Sequence, residues 1–132
     1  MAITTGVSNL GNLVWGRRIE IPPIQRDYAW TTSGQKPSAR QLMTDLMSFH
    51  LNNKTDNYYL GNFIIVVKND DQLTDLNGED ASNLVWNLLD GQQRLTSLTM
   101  IFNSIYIILN QVSDPRAKEI CSNIETRFIF AE

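Results

Sequence analysis

The stretch "NLLDGQQRLTSLTMIF" (Asn87–Phe102) decides how this chain is read. An apolar run ends at Leu89, five polar residues follow (Asp90-Gly91-Gln92-Gln93-Arg94), and apolar periodicity resumes at once in "LTSLTMIFNSIYIILNQV". There, Leu95, Leu98, Phe102, Ile105 and Leu109 recur along one helical face, and Ile101 and Ile108 add a second. A helix apolar on two sides is expected to be central to its fold. A strand-to-helix junction explains two of the five polar residues, with Asp90 as the helix cap and Gly91 allowing the tight turn. Arg94 does not serve the helix, because a cation in the first turn opposes the macrodipole. Backbone N–H groups, amides and a guanidinium at a helix start make an anion site, and phosphate is the usual anion. Asp90 would repel phosphate unless a divalent cation lay between them, and Mg²⁺ bridging carboxylate and phosphate removes that conflict. From these residues alone, a plain junction and a nucleotide site both stand.

Working outward, "LVWNLL" reads as a strand, as does the aromatic and β-branched "YYLGNFIIVV" (58–67). A long polar loop between them suits an antiparallel pair. Gly61 inside the earlier run suggests a bulge or a close backbone approach by another group. Further upstream, Ile19 and Ile21 alternate with polar neighbours in "RRIEIPPIQRDYAW", a short strand ended by Pro22 and Pro23. If the chain stays extended beyond them, Arg26, Tyr28 and Trp30 share one face, opposite Gln25 and Asp27. A guanidinium and two rings suit phosphate and base stacking. The plainer alternative is an aromatic pair finishing the core, with Arg26 ion-paired to Asp27 or Asp90.

Three further helices are expected. "VSNLGNLVW" is a short amphipathic one. The second starts at Ser38 with a Ser38–Gln41 capping box and buries Leu42, Leu46 and Phe49. Asp114-Pro115 breaks the chain before the third, "RAKEICSNIETRF".

The 132 residues suffice for one domain with one core, and 42% hydrophobic with 19% charged residues is ordinary for a globular protein. No apolar run could cross a bilayer, and the N-terminal basic pair follows rather than precedes the apolar residues, so no membrane partner and a cytoplasmic location are expected. One cysteine, Cys121, excludes a disulfide framework, and one histidine, His50, excludes a His-rich metal site. Both are read as structural. A net charge of −3 argues against a surface that coats DNA. The segment "DDQLTDLNGED" (70–80) holds five of the acids, and without it nine acids face eleven bases. A local basic pocket is therefore permitted, and the acidic segment reads as a solvated loop. An apolar "FIF" next to the C-terminus is odd for a complete domain, and a fragment of a longer protein is expected.

Taken together, "IPPIQRDYAW", "YYLGNFII" and "LLDGQQRLTSLTMIF" closely resemble the N-terminal family of GmrSD-type, modification-dependent restriction enzymes. The matches fall at Gln25, Arg26, Tyr28, Trp30, Gly61 and Asp90 to Thr96. Ile24 stands where the family has tyrosine, and Ser97 where it has a second threonine. The resemblance implies an α+β fold of the ParB and sulfiredoxin kind, a small mixed sheet flanked by helices. It implies NTP binding and hydrolysis at the DGQQR site, coupled to restriction of modified phage DNA. On this reading Asp90 holds Mg²⁺ or orients water, and Gln92 or Gln93 positions that water. Arg94, Gly91 and Thr96, with Gln25, Arg26, Tyr28, Trp30 and Gly61, bind the nucleotide. DNA would be engaged through the full-length protein, and nuclease chemistry is expected in a separate C-terminal domain. The alternative is a non-catalytic module that senses a DNA phosphate or a modified base, with Tyr28 and Trp30 stacking on it.

Overall fold

A computed structural model describes residues 5–14, 17–35, 38–52, 56–67 and 85–129. The expected acidic loop lies outside them. Helix α1 (Leu10–Val14) is followed by strand β1 (Arg18–Glu20), helix α2 (Ser38–Asn52), strands β2 (Ile64–Val67) and β3 (Val85–Asp90), and helices α3 (Gln92–Leu109) and α4 (Pro115–Ile124). A π-helical turn, Glu125–Ile129, extends α4.

The sheet has the order β1-β3-β2, so β3 is its spine. It runs parallel to β1, Ile19 opposite Trp86, and antiparallel to β2, Ile65 opposite Leu88. The mixed sheet and its flanking helices are the expected α+β architecture. β3 earns its central place by alternation: Trp86 and Leu88 are buried while Val85 and Asn87 are half-exposed. Only Ile64–Val67 of the long aromatic run pairs as strand. Gly61 has φ +90°, which breaks extended geometry before β2 begins, and the register slips between Ile64 and Ile65.

Local chemistry sets the helix ends. Asn9 Oδ1 accepts from the Asn12 N–H at 2.8 Å and opens α1. Arg17 closes it, donating to the Asn12 and Leu13 carbonyls while its guanidinium stands 4.3 Å above the Trp86 ring. Burial lowers the Arg17 pKa from its ordinary value. Ser38, the expected cap of α2, is already its first helical residue, and the Gln41 amide nitrogen donates forward to Asp45 at 2.7 Å. Asp114 caps α4 through the Arg116 N–H, with Pro115 at the first helical position.

Leu42, Trp86, Leu88, Leu98, Ala117, Cys121 and Ile124 form the buried apolar set. Cys121 is thus structural, as read from the sequence. α3 packs against α4 and the π-helical turn, where Phe102 and Phe128 stack at 4.0 Å. The expectation that α3 is central holds for its first half only. Gln93, Ser97 and Leu98 are buried, whereas Ile105, Ile107 and Ile108 are exposed.

Candidate functional site

The junction from β3 to α3 is tighter than a capped turn requires. Gly91 is the cap residue, at φ +91°, and no side chain caps the helix. The expected role of Asp90 as cap is therefore corrected: Asp90 is the last residue of β3, and its Oδ1 accepts from the adjacent Gly91 N–H at 2.8 Å. The left-handed Gly91 occupies the cap position itself, and Asp90 stands one residue before it with its carboxylate on the Gly91 N–H. A Cβ at Gly91 would also lie 2.5 Å from the Phe63 ring, so glycine is required twice over. The N–H groups of Gln92, Gln93 and Arg94 have no intrahelical acceptor and form the positive end of the 18-residue helix.

The amides of this junction hold a second segment. Gln93 Oε1 accepts from the backbone N–H groups of Ala29 (2.7 Å) and Trp30 (3.2 Å), and its Nε2 donates to the Asp27 carbonyl at 3.1 Å. Gln92 Nε2 donates to the Arg26 carbonyl at 3.0 Å. Gln25 answers from the other side, donating to the Leu89 carbonyl at 3.0 Å. Three glutamines thus tie residues 25–30 to the end of β3 and the start of α3, two segments more than sixty positions apart.

Between them lies a cleft of about 180 Å³. Gln25, Arg26, Trp30, Asp90, Gly91, Gln92, Gln93 and Arg94 line it, with Leu89. Tyr28, Gly61 and Thr96 do not. Tyr28 turns to α3, its hydroxyl 2.9 Å from Ser97 Oγ. The expected shared face of Arg26, Tyr28 and Trp30 is therefore not observed: Arg26 and Trp30 line the cleft, while the Tyr28 hydroxyl meets α3. Gly61 acts from behind the cleft: a Cβ there would meet the Arg94 guanidinium at 2.7 Å. This is the close approach expected of that glycine. Arg94 donates to the Asn62 carbonyl at 3.2 Å and rests 5.6 Å from the Phe63 ring centroid.

Neither Arg26 nor Arg94 forms an ion pair with a carboxylate among the described residues, so the expected alternative of Arg26 bonded to Asp27 or Asp90 is not observed. Two cations and a helix N-terminus face one carboxylate, Asp90, which is exposed. A more open cavity of about 300 Å³ beside α2, lined by Asp45, Ser48, Phe49, Asn52 and Tyr58, has no cation and none of these residues. No group of three or more His, Cys, Asp or Glu side chains gathers among the described residues. Asn62, Phe63 and Leu89 carry no sequence signal of their own for a role in the site, and Ser97 is marked only as the residue that replaces a threonine. Only the position of Asn62 and Phe63 directly after Gly61 hinted at the first two.

A model of the family described as "GmrSD restriction endonuclease, N-terminal domain" matches residues 10–131. No curated protein and no solved structure matches the chain. No helix among the described residues is long and apolar enough to cross a membrane.

Proposed function

Because the chain belongs to the family of GmrSD restriction endonuclease N-terminal domains, its role lies in restriction, and we propose that it is the module that binds and hydrolyses NTP there. One observation carries this reading. The Arg26 and Arg94 guanidinium groups, neither ion-paired among the described residues, line one cleft at the N-terminus of α3. Such a site favours a polyphosphate, through charge-assisted hydrogen bonds and the helix dipole.

Asp90 fits a Mg²⁺ that arrives with its substrate. A single protein carboxylate beside phosphate oxygens is how this ion is commonly held, whereas a dedicated cage would need ligands that do not gather here. When bound, Mg²⁺ neutralises charge developing on the phosphates. The chain's own residues do the rest. Arg94, held against Gly61 and Phe63, presents its charge from one wall and Arg26 from the other. Gln92 keeps its amide oxygen for an attacking water, since only its Nε2 is bonded to a described residue. DNA is engaged through the full-length protein, and hydrolysis serves that engagement. Stacking of a modified base between two rings is less well supported, because Tyr28 is bonded to Ser97 and only Trp30 lines the cleft.

The test is Mg²⁺-dependent phosphate release from NTP by the protein and by Asp90→Asn. Asparagine keeps an oxygen for the Gly91 N–H, so the melting temperature should barely move. Hydrolysis should fall by about a hundredfold or more with the loss of the metal-binding charge. Hydrolysis at the wild-type rate would reduce Asp90 to a junction residue.

A further inference from the structure

Segment 26–30 forms no helix or strand, so no ladder fixes it, yet two of its residues, Arg26 and Trp30, line the cleft. Its position comes from α3. Gln93 is only 6% exposed. Both acceptor sites of its amide oxygen are taken by the Ala29 and Trp30 N–H groups, and its amide nitrogen donates to Asp27. The same partners fix which end of the amide is oxygen. One helical turn on, the Ser97 hydroxyl donates to the Gln93 carbonyl at 2.8 Å. Its one proton is then spent, so Tyr28 is the donor in the 2.9 Å contact between the two hydroxyls. Residues 27–30 are thereby hooked at two heights of one helix face.

We propose that Gln93, supported by the Ser97–Tyr28 bond, is a positioning residue that sets where Arg26 and Trp30 stand in the cleft, and does not itself touch the phosphates or the attacking water. This rests on the nucleotide reading above and assigns the two glutamines of the motif opposite tasks. Gln92 faces the cleft with an amide oxygen to offer, while the Gln93 oxygen is fully committed to backbone.

The deciding variant is Gln93→Met, similar in length but without hydrogen bonds, studied in the whole protein with Mg²⁺ and NTP. Amide hydrogen exchange at Ala29 and Trp30 should speed up about tenfold or more, since their acceptor is gone. The KM for NTP should rise about tenfold while kcat stays within about threefold, the pattern of lost binding rather than lost chemistry. A large fall in kcat at unchanged KM, with exchange as in wild type, would make Gln93 a catalytic group and overturn the proposal. Tyr28→Phe removes only the second hook and should shift exchange and KM the same way by less. If Gln93→Met does not fold, Tyr28→Phe decides, and no change in either readout refutes the tether. If the wild-type protein neither binds nor hydrolyses NTP, the nucleotide reading is what fails. Exchange at Ala29 and Trp30 then still decides alone whether Gln93 holds the segment, and unchanged rates in Gln93→Met overturn it.

Discussion

In the first two turns of α3, Gln93 and Ser97 are polar and buried, whereas in its last two turns Ile107 and Ile108 are apolar and exposed, Ile108 at 64%. One helix thus inverts the usual distribution at both ends. The buried polar groups are tolerated because both the oxygen and the nitrogen of the Gln93 amide, and the Ser97 hydroxyl, are bonded to the backbone of residues 27–30, to Tyr28 or within the helix. The exposed apolar groups have a simpler cause: α3 packs chiefly on α4 and the π-helical turn, and these leave Ile107 and Ile108 uncovered among the described residues. Burial here follows the partners a face finds, not the polarity of its residues. The polar end builds the site and should be intolerant of change. The apolar end should tolerate much more.

The largest effect should come from Gly91→Ala, at the root of the polar end. The substitution forces a side chain into φ +91° and sets a methyl 2.5 Å from the Phe63 ring. Strain and overpacking together should cost about 2–4 kcal/mol. A thermal melt measures it, and an unchanged midpoint would mean that the junction is loose and that the division between the two ends of α3 is not one of rigidity.

Arg94→Ala should come next, and its loss should appear in binding more than in stability. Removing a charge-assisted contact to phosphate should weaken NTP binding by ~1.5–3 kcal/mol, a tenfold to hundredfold change in affinity. The fold loses one hydrogen bond to Asn62 and the packing of the guanidinium against Gly61 and the Phe63 ring. The midpoint should therefore fall by less than in Gly91→Ala. Titration of NTP alongside the melt separates the two roles. A large drop in stability with affinity retained would make Arg94 a brace for residues 61–63 and nothing more.

How much of this was legible follows from which interactions are local. β3, α3 and the need for glycine at 91 were readable, because alternation, helical spacing and a strand running straight into a helix are local signals. Gly61 was readable as a position that something approaches. What approaches it, the Arg94 guanidinium, lies 33 positions away and leaves no mark on neighbouring residues. Convergence of Gln25-Arg26 with Gln92-Arg94 could be suspected from their shared chemistry, but the amide-to-backbone bonds that achieve it belong to a loop without periodicity. Of the two readings of Asp90, the cap follows from a strong local rule for aspartate before a helix, and a left-handed Gly91 in the cap position supersedes it. For Tyr28 the shared face with Arg26 and Trp30 was conditional on period-two facing, and its hydroxyl instead pairs with Ser97, 69 positions away, a partner that local spacing does not reveal. The exposure of Ile107 and Ile108 was illegible, since a periodic apolar face predicts burial without naming what buries it.

The smallest effect should be at that exposed end. In Ile108→Lys an apolar side chain on an exposed helical turn gives way to a residue of slightly better helix propensity. Little burial is lost, so stability should change by no more than about 0.5 kcal/mol in either direction. NTP binding should not change, as the site lies at the opposite end of the helix. This small number is nonetheless the most discriminating for the comparison. If Ile108→Lys lowers the melting midpoint as Gly91→Ala does, the face is covered in solution, by another copy of the chain or by residues outside those described. A concentration-dependent midpoint would identify the copy. The inversion along α3 would then belong to the uncovered helix alone, while the account of its polar end, which rests on bonds already made, would stand unchanged.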